Sequence, residues 1–216
     1  MNSLLPVYLM ADSRLLFQQQ KDGSYYLASI RKELESKDPI ASYIGASNGD
    51  LPEFYDLFVA GMNNIGIGRC YHITAAFEDH EKESLEAAEV ILLAGGEVKK
   101  GWDVLVKTGI KDIILRKYRE GALLMGISAG AIHLTPEGLG IFPYLLGAHE
   151  EEEDWQNIQS LIKQSSTIKS GIGLPYGSAI KYHPDHKIQV LNKPVLELVS
   201  TEGRISRNWL FPEKNN

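Results

Sequence analysis

What narrows the fold most is a rhythm. Short, nearly continuous apolar runs at residues 4–11, 40–46, 67–73, 90–94 and 122–125 alternate with longer amphipathic or charged segments at 25–36, 52–62, 79–88 and 101–119. The runs are too short for buried helices and too evenly apolar for strands with one wet face, so they read as strands covered on both sides. The intervening segments read as helices, the last interrupted near Gly109. Strands alternating with helices predict an α/β fold, a three-layer sandwich around a mostly parallel sheet. Beyond residue 150 the rhythm changes. A polar helix is predicted over 150–164, then apolar runs at 168–172, 179–182, 188–191 and 195–199, with turn residues Pro184-Asp185 and Asn192-Lys193-Pro194 between the later ones. These read as antiparallel strands extending or flanking the sheet. With 216 residues, 44% of them hydrophobic, the chain suits one well-buried domain over 1–216.

Charge and composition remove several classes of function. Twenty-eight acidic against 22 basic residues give a net charge of -6, and no Lys/Arg-dense segment offers a nucleic-acid surface. The apolar N-terminal run has no basic region before it and meets Asp12 and Arg14 directly after it, so it reads as a first strand rather than a signal peptide. No apolar stretch approaches the roughly 20 residues needed to span a bilayer, and a soluble cytoplasmic protein without a membrane partner is expected. The single cysteine, Cys70, allows no intramolecular disulfide and reads as a buried structural thiol. The acidic run 150–154 reads as a solvated helix N-terminus. Trp155 and Trp209 read as exposed aromatic residues suited to an interface, which leaves a homodimer open. No dinucleotide fingerprint and no paired-histidine metal motif is present, and His183-Pro184-Asp185-His186 reads as a turn, so no cofactor and no metal is expected.

The chemistry concentrates at Gly126-Ile127-Ser128-Ala129-Gly130-Ala131, directly after the 122–125 run. A serine between glycines after a buried strand can be held on a sharp strand-to-helix turn with its hydroxyl exposed at the sheet edge. The same small residues also serve plain close packing of helix on strand. Ala94-Gly95-Gly96-Glu97 follows a strand too, and ligands of open α/β sheets bind at such carboxyl ends. The Ala129 N–H and a glycine N–H from the neighbouring loop could together face an oxyanion. Of the histidines, His80 lies in a charged helical stretch and His183 and His186 flank a turn. His72 stands toward the end of a strand as a candidate pocket residue, and the helical position of His133 turns it away from Ser128. His149 stands where a strand ends, after an apolar run and Gly147-Ala148, and is placed to act as a base.

These residues resemble the serine peptidase family of aspartyl dipeptidase (peptidase E) and cyanophycinase. The resemblance covers most of the chain: Ile91-Leu92-Leu93-Ala94-Gly95-Gly96, the Gly126–Ala131 turn, the segment 139–149 that ends in His149, and Gly171-Ile172-Gly173-Leu174-Pro175. It implies a flavodoxin-like or class I glutamine amidotransferase-like fold and a peptidase acting on a small peptide. Ser128 would be the nucleophile and His149 the base, with Gly96 and Ala129 at the oxyanion and Gly95 beside the substrate. Two departures stand out. Only 20 residues separate Ser128 from His149, with Glu137 the one acidic residue among them. Glu137 is therefore the candidate third member, although it also reads as an exposed helix-end carboxylate, and a serine–histidine pair alone is the other option. The glycine loop continues as Glu97-Val98-Lys99-Lys100, where the family commonly has a further glycine and Asn-Thr. That departure leaves open whether acidic N-termini are preferred.

Two rivals remain at the level of sequence. Gly126-Ile127-Ser128-Ala129-Gly130 also satisfies the G-x-S-x-G pattern of esterases, which usually carry an HGGG-like loop and a C-terminal histidine that this chain lacks. The other rival is a non-catalytic binding or regulatory homologue that keeps the fold without a working site.

Overall fold

The computed structural model describes residues 4–213. The strands are β1 (Val7–Met10), β2 (Ile40–Ile44), β3 (Arg69–Ile73), β4 (Val90–Leu93), β5 (Leu123–Ile127), β6 (Leu145–Ala148), β7 (Ser170–Leu174), β8 (Ala179–Tyr182), β9 (Ile188–Leu191), β10 (Val195–Thr201) and β11 (Arg204–Leu210). The helices are α1 (Ala28–Glu33), α2 (Pro52–Asn64), α3 (Asp79–Ala87), α4 (Val98–Thr108), α5 (Ile110–Arg119), α6 (Ala129–His133) and α7 (Gln156–Gln164). A seven-stranded sheet runs in the order β3-β2-β4-β5-β1-β8-β9. Its first five strands are parallel, and β8 and β9 continue it antiparallel past β1. Every residue of β1 and β4 is buried, which is why these segments read as unbroken apolar runs.

The two faces of this sheet are covered by separate cores. One gathers Leu16, Ile30, Tyr43, Phe58 and Met62 with β-strand residues such as Met10 and Leu92. The other joins Leu85, Leu105, Ile110, Ile114, Ala131 and Phe142 from α3–α6 and the segment that follows α6. Gly109, at φ 77°, is the left-handed residue that ends α4 and lets α5 start at a new angle, at the interruption expected from sequence.

The C-terminal strands do more than extend this sheet. β6, β7, β10 and β11 form a second, four-stranded sheet in the order β11-β10-β7-β6, in which β6 and β7 are parallel rather than antiparallel. One side of it contributes Leu146, Ala148, Ile172, Leu174 and Val195 to the core under α4–α6. The other is closed by α7, whose Ile158 and Ile162 pack with Leu145, Leu196 and Leu198. The predicted helix over 150–164 is thus shorter, beginning at Gln156, and the predicted helix over 25–36 holds only as α1.

Two expectations are corrected here. Trp155 is not an exposed interface residue. It is 4% exposed, because its indole lies where a Cβ on Gly173 would sit, within 2.6 Å of that position, in a groove left by a glycine of β7. Trp209 is exposed as expected. The acidic run is only partly solvated: Glu150 Oε2 accepts the Ile158 N–H at 3.2 Å and so caps α7, and Glu151 Oε1 accepts the Tyr176 N–H at 2.9 Å. Cys70 is half-buried, its Sγ directed at the Ile67 carbonyl, and burial pushes its thiol up to about 11. No helix among the described residues is long and apolar enough to cross a membrane.

Candidate active site

The carboxyl ends of β1, β2, β4 and β5 converge on one cavity of about 220 Å³. At its floor is the turn that joins β5 to α6. Ser128 sits there at φ 48° and ψ -109°, a backbone state that costs a non-glycine residue on the order of 1–3 kcal/mol and persists only where its surroundings impose it. Those surroundings are visible. The Ser128 N–H donates to the Met10 carbonyl at 2.9 Å, and the Ile132 N–H returns to the Ser128 carbonyl at 3.1 Å. Gly130 lies so close to β4 that a Cβ on it would fall 2.0 Å from the Leu93 carbonyl oxygen. The small residues around Ser128 thus serve close packing, and that packing presents the hydroxyl. The two sequence readings of the turn describe one device.

His149 lies directly beyond the end of β6, itself at φ 47°, with its N–H donating to the Leu174 carbonyl at 2.8 Å. The structure brings it to Ser128: Oγ and Nε2 are 2.9 Å apart, in hydrogen-bond contact. The imidazole is stacked on the Tyr176 ring, with centroids 4.9 Å apart and planes at 14°. The Arg14 guanidinium lies 5.5 Å from the centroid of the same ring. Tyr176 is in turn fixed through its loop, by Glu151 on its own N–H and by Asp12 Oδ2 on the Gly177 N–H at 2.7 Å. Sequence reasoning did not single out Tyr176. Its signal is indirect: an aromatic residue directly after Gly171-Ile172-Gly173-Leu174-Pro175, in the turn beyond β7, the strand parallel to the one that delivers His149.

Gly95 and Gly96 line the same cavity. Gly96 has φ 134°, and a Cβ there would collide with the Ser47 carbonyl oxygen at 2.3 Å, so no larger residue fits. Ala129 opens α6, where its N–H has no partner one turn back. Among the described residues neither the Gly96 nor the Ala129 N–H makes a hydrogen bond.

Glu137 is not brought to the site. It is exposed beyond α6, its N–H donating to Thr135 Oγ1 at 3.4 Å, and no hydrogen bond or ion pair among the described residues joins it to His149. The imidazole is in ring contact with Tyr176, and no carboxylate among the described residues is hydrogen-bonded to it.

The other histidines separate as expected, with one refinement. His133 is buried and bonded to the Val98 carbonyl at 2.8 Å, tying α6 to α4, and burial holds its pKa below the ordinary value. His183 and His186 sit at the β8–β9 turn, which the β1–β8 register places at the opposite end of the sheet from Ser128. His72 does not line the cavity. It stacks on Tyr55 at 4.8 Å and meets Tyr43 edge-on at 5.4 Å, and burial lowers its pKa. Tyr43 does line the cavity. Its hydroxyl accepts from Asn48 Nδ2 at 2.6 Å, and burial pushes it up to about 12. No group of three or more His, Cys, Asp or Glu among the described residues could hold a metal ion.

A buried parallel sheet that ends in a serine on a forced turn, with a histidine in contact with it, is the arrangement found in serine hydrolases built on an α/β sandwich. Within that class the chain belongs to peptidase family S51, whose family model matches residues 17–140 and so includes Gly95, Gly96 and Ser128. Two solved structures share the fold. One is a peptidase from an acI-B1 Actinobacterium, at a TM-score of 0.75 and 18% identity, covering 98% of this chain and 96% of that one. The other is a Listeria monocytogenes EGD-e protein assigned as a peptidase E, at a TM-score of 0.62 and 13% identity, covering 87% and 98%. A shorter stretch is similar to the pyridoxal 5'-phosphate synthase subunit PdxT of Caldicellulosiruptor bescii, 38% identical over 69 residues. It covers 30% of this chain and spans about 37% of that subunit's length.

Proposed function

We propose that the protein hydrolyses a peptide or isopeptide bond in a small peptide, with Ser128 as nucleophile and His149 as general base. The observation that carries this reading is the 2.9 Å contact between Ser128 Oγ and His149 Nε2, made at the floor of a cavity open to substrate. A serine hydroxyl is a weak nucleophile until a base within hydrogen-bond reach takes its proton. As Oγ attacks the carbonyl carbon, its proton passes to Nε2, and the negative charge that gathers on the carbonyl oxygen faces the N–H groups of Gly96 and Ala129. The imidazolium then gives the proton to the departing amine as the C–N bond breaks, leaving an acyl group on Ser128. Water enters on the same side and loses a proton to His149. It releases the acyl group as a carboxylic acid and restores the hydroxyl.

The pair works without a carboxylate partner for the imidazole. Tyr176 fixes the ring plane, and the carboxylates of Glu151 and Asp12 fix Tyr176 through backbone N–H groups. Hydrolysis of a dipeptide panel followed by amine release tests the reading. Ser128→Ala and His149→Ala should each lose at least about 100-fold in kcat with an unchanged melting temperature. Full activity in either folded variant overturns the assignment.

A further inference from the structure

The serine peptidase reading leaves open which peptide is cut, and the cavity wall speaks to that. Leu16, Tyr43, Phe54, Leu57, Phe58 and Ile127 form it, beside the catalytic turn. Phe54 is 45% exposed and Leu57 40%, and Leu51, one turn before Phe54, is 46% exposed. An apolar strip on the first turns of α2 therefore faces solvent at the cavity mouth, although the rest of the helix buries Phe58 and Met62 in the core. The cavity that the strip borders takes Tyr43 from β2 and Gly95 and Gly96 from beyond β4, and between β2 and β4 the chain reverses its direction of travel across the sheet, a crevice of the kind that takes ligands.

The charges in the wall point the same way. Among the described residues the cavity lining holds one carboxylate, Asp12, and no lysine or arginine, and both Asp12 oxygens accept backbone N–H groups, from Arg14 and Gly177. Arg14 pairs with Asp12 at 4.0 Å and lies on the Tyr176 ring with its side chain 65% exposed, Lys193 Nζ donates to the Tyr176 carbonyl at 2.8 Å, and Lys100 stands over Gly49. None of these cations lines the cavity. A substrate carboxylate placed here would lose water without gaining a cation and would face Asp12, whereas an apolar group would cover the exposed strip. The space is sufficient. A cavity of roughly 150 Å³ lined by apolar side chains holds a benzene ring, and this one is about 220 Å³.

The wall also has a side. The leaving amine must face His149, which stands at the Tyr176 side of the cavity, while Leu16, Tyr43 and Phe58 line it from the core under α2. The part of the substrate that turns away from the imidazole is the acyl part. We infer that the cavity receives a large hydrophobic or aromatic side chain on the acyl side of the scissile bond, so that the substrates are peptides with Phe- or Leu-like residues there rather than Asp. This rests on the peptidase reading above.

The test separates the two. Phe-Ala, Leu-Ala and Asp-Ala, with their N-acetyl forms, are titrated into the Ser128→Ala protein, where binding is read without turnover. The same peptides are then assayed for hydrolysis by the wild type. The expected result is binding of the Phe and Leu peptides at least 10-fold tighter than of the Asp peptides, and a kcat/KM ratio of about 100-fold in the same direction. Phe54→Arg, a change at a half-exposed position that the core does not need, should shrink the binding ratio at least 10-fold by weakening the Phe peptides and strengthening the Asp ones. Equal or tighter binding of the Asp peptides, or no binding of any peptide, overturns the inference. A clear apolar preference in binding with no hydrolysis of any peptide keeps the cavity's preference and removes the peptidase reading instead.

Discussion

Gly130→Ala is the sharpest perturbation of the link between packing and chemistry. The added Cβ would lie 2.0 Å from the Leu93 carbonyl oxygen, 2.5 Å from the Leu93 carbonyl carbon and 2.9 Å from the Ala94 carbonyl oxygen, all of them backbone atoms that cannot rotate aside. Ordinary contact begins at 3.4 Å, so the start of α6 must retreat from β4 by about 1.4 Å. Overpacking of this kind costs about 1–3 kcal/mol. In a domain of this length each kcal/mol lowers the melting temperature by about 2–4 °C, which gives a fall of roughly 2–12 °C. The retreat carries Ser128 and the Ala129 N–H away from His149 and Gly96, and misplacement by about 1 Å costs on the order of 100-fold in rate. Thermal unfolding and the second-order rate of Ser128 labelling by a fluorophosphonate read the two effects separately. Labelling at the wild-type rate in a folded Gly130→Ala protein would refute the claim that close packing of α6 on β4 places the hydroxyl. Gly68→Ala is the control. It has ordinary φ and meets nothing nearer than Asn63 Oδ1 at 3.8 Å, and should change neither quantity.

Three further outcomes are expected. Trp155→Ala should destabilise the protein by about 3–5 kcal/mol in denaturant melts, since it empties the groove over Gly173 that seats α7 on the second sheet. Glu137→Gln should leave turnover within twofold and stability within about 0.5 kcal/mol, as befits an exposed carboxylate joined to nothing at the site. Alkylation of Cys70 by iodoacetamide at pH 8 should run about 100-fold slower in the folded than in the unfolded chain, because burial raises the thiol from 9.0 to about 11 and the thiolate is the reacting form. Equal rates in the two states would contradict the burial of Sγ.

The legible parts of the fold are those whose neighbours are dictated by period and burial. β1, β4 and β5 are covered on both faces, so their sequences are apolar throughout, and the turns that end them carry the glycines that close packing needs. Ser128 and His149 were legible for the same reason: each stands immediately beyond the end of a buried strand. The second sheet was not. β6 has only four residues, and its parallel pairing with β7 is decided by the long excursion through α7 rather than by any local pattern. Trp155 reads as exposed because its neighbours in sequence are acidic, whereas its neighbour in space is Gly173. With Gly171 two residues before it on the same face of β7, that glycine leaves room for α7 to approach. Tyr176 is hard to read from the sequence because ring stacking on a histidine leaves no spacing pattern. Glu137 is a candidate only as the one acid between Ser128 and His149, and position along the chain is a poor guide to position in space.

The central claim is that Ser128 is an activated nucleophile served by His149, and covalent capture tests it most directly. Intact-mass spectrometry after incubation with a fluorophosphonate should show one adduct per chain, mapped to Ser128, and His149→Ala should slow its formation by at least about 100-fold. A folded protein that stays unmodified, or one labelled equally fast without the histidine, would contradict the account.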